Sequence, residues 1–161
     1  MNAKRPGNFM RPVGAKELRR RVNLYPPYLG AGIRVKRISE DFRTVEVEMP
    51  LRWWNRNYVG THFGGSLYSM CDPFYMLMLI HNLGPDYIVW DKAATIRFKK
   101  PGKGVMRATF HLPAERVEEI REQAEREGKV EPQFQVVVMD AEGNVVAEVD
   151  KVLSVKKKIK G

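Results

Sequence analysis

The stretch Gly64-Gly65-Ser66-Leu67-Tyr68-Ser69-Met70-Cys71-Asp72-Pro73-Phe74-Tyr75-Met76-Leu77-Met78-Leu79-Ile80-His81-Asn82 decides the fold. It is longer than an ordinary strand, apolar on nearly every side, entered through two glycines and followed by Gly84-Pro85, so it reads as one long buried helix. A helix that is apolar all round has to be covered all round. Asp72 stands out inside it as the lone acid among Met70, Cys71, Phe74 and Tyr75, where an ionised carboxylate must find partners. So costly a residue suggests a chemical task, although Ser69, a tyrosine hydroxyl or a nearby loop could also satisfy it.

The cover comes from strands. Ile33, Val35 and Ile38, then Val45, Val47 and Met49, alternate with polar residues on either side of Ser39-Glu40-Asp41, the pattern of a half-solvated hairpin. Tyr87 to Lys99, Val105 to His111, Phe134 to Asp140 and Val145 to Val155 read as four more strands, the last two joined through Glu142-Gly143-Asn144. Pro113 to Glu127 is a charged surface helix with a narrow stripe of Val117, Ile120 and Ala124. Ala15 to Val22 forms a short basic helix that Pro26 and Pro27 prevent from continuing. The predicted class is α+β: a curved antiparallel sheet wrapped around a long central helix, with a partner subunit covering what the sheet leaves open.

A chain of 161 residues suits one such domain. We expect a basic arm with a short helix at 1–22, unstructured to about Gly14, then the sheet-and-helix domain at 23–155 and a basic tail at 156–161. The net charge of +9 sits at the ends, because residues 1–30 and 151–161 carry +6 and +5, which leaves a slightly acidic body. With no accompanying motif, this distribution describes solvated termini and gives no reason to expect nucleic acid. No secretory signal is recognisable, and Asp72-Pro73 interrupts the one apolar helix, so no membrane span is expected. A single cysteine, Cys71, and the lack of any Cys/His cluster point to a reducing cytoplasm and to no metal.

In an unbroken helix Gly65 lies within about 20° of Asp72, with Tyr68, Ser69, Tyr75, Met76 and Leu79 on the same face. The N–H groups of Gly64 and Gly65 at the helix start lack intrahelical acceptors and could stabilise a carbonyl oxygen gaining negative charge. Seven residues of helix rise about 10.5 Å, too far for one reacting carbon to touch both ends of the same chain. Two such helices antiparallel across a two-fold axis would bring the amides of one to the carboxylate of the other.

Asn57, Gly60-Thr61, Gly64-Gly65, Leu67 and Asp72 resemble, without gaps, the central motif of hotdog-fold acyl-CoA thioesterases in the branch that includes phenylacetyl-CoA thioesterases. Asn23-Leu24-Tyr25-Pro26-Pro27 and Asp72-Pro73 are similar to an uncharacterised bacterial thioesterase-like subfamily of that fold. The resemblance implies a hotdog fold, a homodimer or dimer of dimers, and hydrolysis of an acyl-CoA thioester without a cofactor. It implies that Gly64 and Gly65 polarise the thioester, that Asp72 is general base or nucleophile, and that Asn57 orients substrate or water.

Related enzymes carry histidine directly before the glycines; here that place is Phe63, with His62 one residue earlier. His62, Phe63, Tyr68 and Ser69 are therefore candidate substrate contacts. Arg97 and Lys99 could hold the phosphates of coenzyme A, or simply line a solvated sheet edge. Trp53 and Trp54 could wall an acyl pocket or pack in a dimer. The departure at Phe63 keeps open a protein that binds acyl-CoA or another hydrophobic ligand without turnover.

Overall fold

The structure, a computed structural model, describes residues 13–159. Most of the expected unstructured arm, 1–12, and the last two tail residues, 160–161, lie outside the described residues. Helix α1 (Ala15–Asn23) is followed by a short α2 (Pro26–Ala31) that the sequence reading did not foresee. The prolines that stop α1 occupy the first turn of α2, where a missing N–H costs nothing. Strands β1 (Arg34–Ile38) and β2 (Thr44–Pro50) form the expected hairpin.

The central helix is the main correction. It is two helices, α3 (Gly64–Ser69) and α4 (Phe74–Leu83), separated by a turn at residues 70–73. Pro73 has no N–H to donate to Ser69 O, the carbonyl it would meet in an unbroken helix. That oxygen is satisfied instead by Tyr28 OH at 3.0 Å and by the Asp72 N–H at 3.3 Å. The carbonyl freed by the break is thus satisfied twice.

The remaining elements are β3 (Tyr87–Phe98), β4 (Val105–His111), α5 (Ala114–Glu127), a two-residue β5 (Lys129–Val130), β6 (Gln133–Met139) and β7 (Val145–Lys157). All strand pairs are antiparallel, in the order β1-β2-β4-β6-β7-β3, with β5 also pairing β7. Inward residues of this sheet, among them Val47, Met106, Phe110, Val138 and Val149, pack with Leu67, Phe74, Tyr75, Met78 and Leu79 of the two central helices in a single core. This is the hotdog fold. Among the described residues, no helix is long and apolar enough to cross a membrane.

β3 is one of the two edge strands, and its far half is poorly covered. Ala94, Ile96 and Phe98 pair with the buried Lys151, Val149 and Ala147 of β7, so they occupy the helix-facing side of the sheet. Yet Ala94 and Phe98 are exposed and Ile96 is only half-buried, so the described residues cover this stretch incompletely.

Candidate functional site

The break in the helix moves Asp72 out of the core. Its side chain, expected to be buried, is 47% exposed. Oδ1 accepts two hydrogen bonds, from Tyr68 OH at 2.7 Å and from Lys151 Nζ at 2.9 Å. Lys151 Nζ also donates to Tyr68 OH at 3.2 Å. Oδ2 has no donor among the described residues and is the free face of the carboxylate.

Lys151 itself is fully buried. Its Nζ stands 2.9 Å from Asp91 Oδ1 as well, so one ammonium sits between two carboxylates. The approach to Asp91 is an ion pair whose angle falls outside hydrogen-bond geometry, and Oδ1 is a buried oxygen with no hydrogen-bond donor. Burial pulls the Lys151 ammonium toward neutrality, but its contacts with Asp91 and Asp72 outweigh this and leave its pKa raised. Burial pushes the Asp91 carboxyl up, against the opposing effect of Lys151. Burial likewise raises Tyr68, and the hydrogen bond to Asp72 adds to the rise.

Local sequence explains how these groups meet. Along β7, Ala147, Val149, Lys151, Leu153 and Val155 are all buried, with partly exposed residues between them, so Lys151 takes a core position in a period-two pattern. In β3 the register slips between Asp91 and Ala93. Such a bulge re-aims side chains, and here it places small Ala94 opposite Lys151 and leaves Asp91 within reach of its ammonium.

The glycines lie under two aromatic rings. A Cβ at Gly65 would sit 2.5 Å from Phe63 Cε1, and one at Gly64 would sit 2.9 Å from Phe98 Cζ. At both positions a side chain would have to displace a ring, so glycine is what permits the close packing seen here. The N–H groups of Gly64 and Gly65 meet no acceptor among the described residues. Beside them a cleft of about 430 Å³ is lined by Asn57, His62, Gly64, Phe98 and Lys99, among others; Asp72 does not line it. Within one chain, the free amides and the carboxylate are in separate places.

Asn57 Oδ1 accepts from Val59 N and Thr61 N, while its Nδ2 donates to Thr61 Oγ1 and His62 O, so its side chain ties the loop before α3. His62 is buried, with Nε2 2.9 Å from Gly104 O and Nδ1 unpartnered. Burial lowers its pKa. The neutral ring thus carries its proton on Nε2, toward that carbonyl. Ser69 Oγ donates to Gly65 O, and Phe63 is exposed.

Arg97 is paired with Glu148 and Asp150, and Lys99 with Glu148. Glu148 and Asp150 alternate with the inward Val149, which puts these ion pairs on the sheet face opposite Lys151. Trp53 and Trp54 pack edge-to-face on each other at the surface. No group of metal ligands occurs among the described residues.

The sequence reading put Tyr68 on the Asp72 face of an unbroken helix as a substrate contact, and it missed Lys151 and Asp91. Lys151 could have been found as a charged residue in an inward position of an alternating strand.

Residues 14–155 match the family profile of Domain of unknown function (DUF4442). No curated protein matches the chain. Among solved structures, the chain is similar to a Pseudomonas aeruginosa protein of unknown function named as a probable thioesterase, at 23% identity and a TM-score of 0.80, over 91% of this chain and 98% of that one. A Chlorobaculum tepidum protein of unknown function aligns at 18% identity and a TM-score of 0.71, covering 89% and 94% of the two chains. A Haemophilus influenzae thioesterase aligns at 14% identity and a TM-score of 0.66, covering 93% and 95%. At these identities the likeness establishes the shared fold.

Proposed function

The chain belongs to the DUF4442 family, and from that premise we propose that it is a thioester hydrolase working on acyl-CoA, with each active site assembled from two copies of the chain. The observation that carries this reading is Asp72: a half-exposed carboxylate at a compensated helix break, with Oδ1 held by two donors and Oδ2 free. In the proposed reaction Oδ2 takes a proton from water as the water oxygen bonds to the thioester carbon. The carbonyl oxygen, gaining charge, is received by the Gly64 and Gly65 amides of the second copy. Collapse of the tetrahedral intermediate breaks the C–S bond, and the departing sulfur leaves with the electron pair and takes up the proton held on Oδ2, which restores the carboxylate.

The need for a second copy follows from two features. The amides and Asp72 do not share a cleft in one chain, and the inward residues Ala94, Ile96 and Phe98 on the edge strand β3 are left partly exposed. Edge-to-edge pairing of β3 across a two-fold axis would cover them and bring the two half-sites together. Asn57 contributes by shaping the loop that presents Phe63 and the glycines.

A second reading is a protein that binds acyl thioesters without turnover. It is favoured by the Phe63 ring packed over Gly65, where it could grip an acyl chain. Release of free thiol from a panel of acyl-CoAs, with equilibrium binding measured in parallel, separates the two. Hydrolysis by the wild type that is lost in Asp72→Ala supports the enzyme; equal, negligible release by both with retained binding supports the binder. Sedimentation of the wild type tests the assembly, and a monomer at working concentration would remove the shared site.

A further inference from the structure

Lys151 is a buried charge that the fold does not require. An inward strand position between Val149 and Leu153 would be filled at less cost by an aliphatic side chain, since a buried ion pair seldom stabilises more than the apolar residues that could replace it. Lys151 is instead held between two acids on different elements, one in the turn after α3 and one at a β3 bulge. Its ammonium and the Tyr68 hydroxyl converge on the same oxygen of Asp72. Two donors on Oδ1 fix the rotation of the carboxylate about its Cβ–Cγ bond and so fix the direction of Oδ2.

We propose that Lys151 and Asp91 are a positioning pair: Lys151, anchored by Asp91, aims the free oxygen of Asp72 at the reacting water. The inference rests on the hydrolase reading for its consequence in turnover, but not for the geometry it assigns. Neither residue touches substrate. The other titratable groups packed around Asp72 are neutral, because burial raises both the Tyr28 hydroxyl and the Cys71 thiol, the latter to about 12. Lys151 is therefore the cation that faces this carboxylate, and Tyr68 the neutral donor beside it.

The test is the double variant Lys151→Met/Asp91→Asn, which removes the buried cation without leaving a buried, unpaired carboxylate. If the pair positions Asp72, kcat for thiol release falls about 100-fold while KM stays within about two-fold. An unchanged kcat, or a raised KM with kcat intact, overturns the proposal.

Should the wild type release no thiol, the hydrolase reading falls and the positioning inference is judged separately, by the crystal structure of the double variant. There the Asp72 carboxylate should lose the single orientation in which Oδ1 meets Tyr68 OH and Oδ2 faces outward. An unchanged orientation overturns the inference. If the double variant does not fold, Tyr68→Phe, which removes the second donor to Oδ1 and leaves the buried charges alone, should lower kcat about 10-fold, and no change would overturn it.

Discussion

The two halves of the central helix come from one apolar run and end in opposite conditions. α4 buries Phe74, Tyr75, Met78, Leu79 and Leu83 in the core, whereas α3 buries only Leu67. α3 leaves Tyr68 half-buried, is entered under an exposed Phe63 and runs out into a half-exposed Asp72. The difference arises at Pro73, which ends hydrogen bonding to the preceding turn and lets Tyr28 take over the freed carbonyl. One half is a plug for the sheet and the other carries polar groups that the sheet does not cover. Stability and chemistry are thereby separated within a single segment, and they should respond separately to substitution.

The sharpest way to break the comparison is Asp72→Asn. Thiol release should fall about 1000-fold, while the melting temperature moves little because Lys151 keeps Asp91 as its counter-ion. A large loss of stability with activity retained per folded molecule would show that the turn is structural. Phe74→Ala, on the plug side, should do the reverse. It should cost about 3–5 kcal/mol in denaturant unfolding and leave kcat of the folded fraction unchanged.

Gly65→Ala probes the entrance of α3 with a smaller expected effect. The new methyl meets the exposed Phe63 ring, which can swing aside, so stability should change by less than about 1 kcal/mol while thiol release drops about 10-fold. Adding Phe63→Ala should restore part of that loss, and no recovery would place the obstruction at the amide itself.

The smallest effect concerns pH. Because the folded Asp91 carboxyl is raised above its ordinary value of 3.8, its contribution to stability is complete below that value and is lost as pH rises through the higher folded one. The melting temperature of wild type relative to Asp91→Asn should therefore decline as pH rises from about 3 through the titration of the folded carboxyl. A flat or rising difference would contradict the assigned burial.

The periodicities of the strands and the charged helix were legible in the sequence because each is written locally, in alternation every two residues or in a stripe down one face. The break in the central helix was visible as Asp72-Pro73 but outweighed by the apolar run around it. Its resolution depended on Tyr28, which lies 41 residues away in sequence and arrives only through tertiary packing. α2 was hidden because its two prolines read as a stop signal, although they also fit a helix start.

In the site, Asp72 was legible as the odd residue in its surroundings. Lys151 was concealed by its neighbours Lys156, Lys157 and Lys158, which made it look like part of a solvated tail when its place in the strand was inward. Asp91 depends on a bulge that alternation does not announce. The ion pairs of Arg97 and Lys99 with Glu148 come from the register of β3 on β7, which alternation alone does not announce.

Cys71 occupies the turn between the two helical halves, is fully buried, and has a thiol that burial pushes up to about 12. At neutral pH an alkylating reagent finds neither accessible sulfur nor thiolate there while the joint stays shut. Its labelling rate therefore acts as a clock for transient opening of that joint, readable without knowing any substrate, and any ligand that clasps the two halves together will slow it.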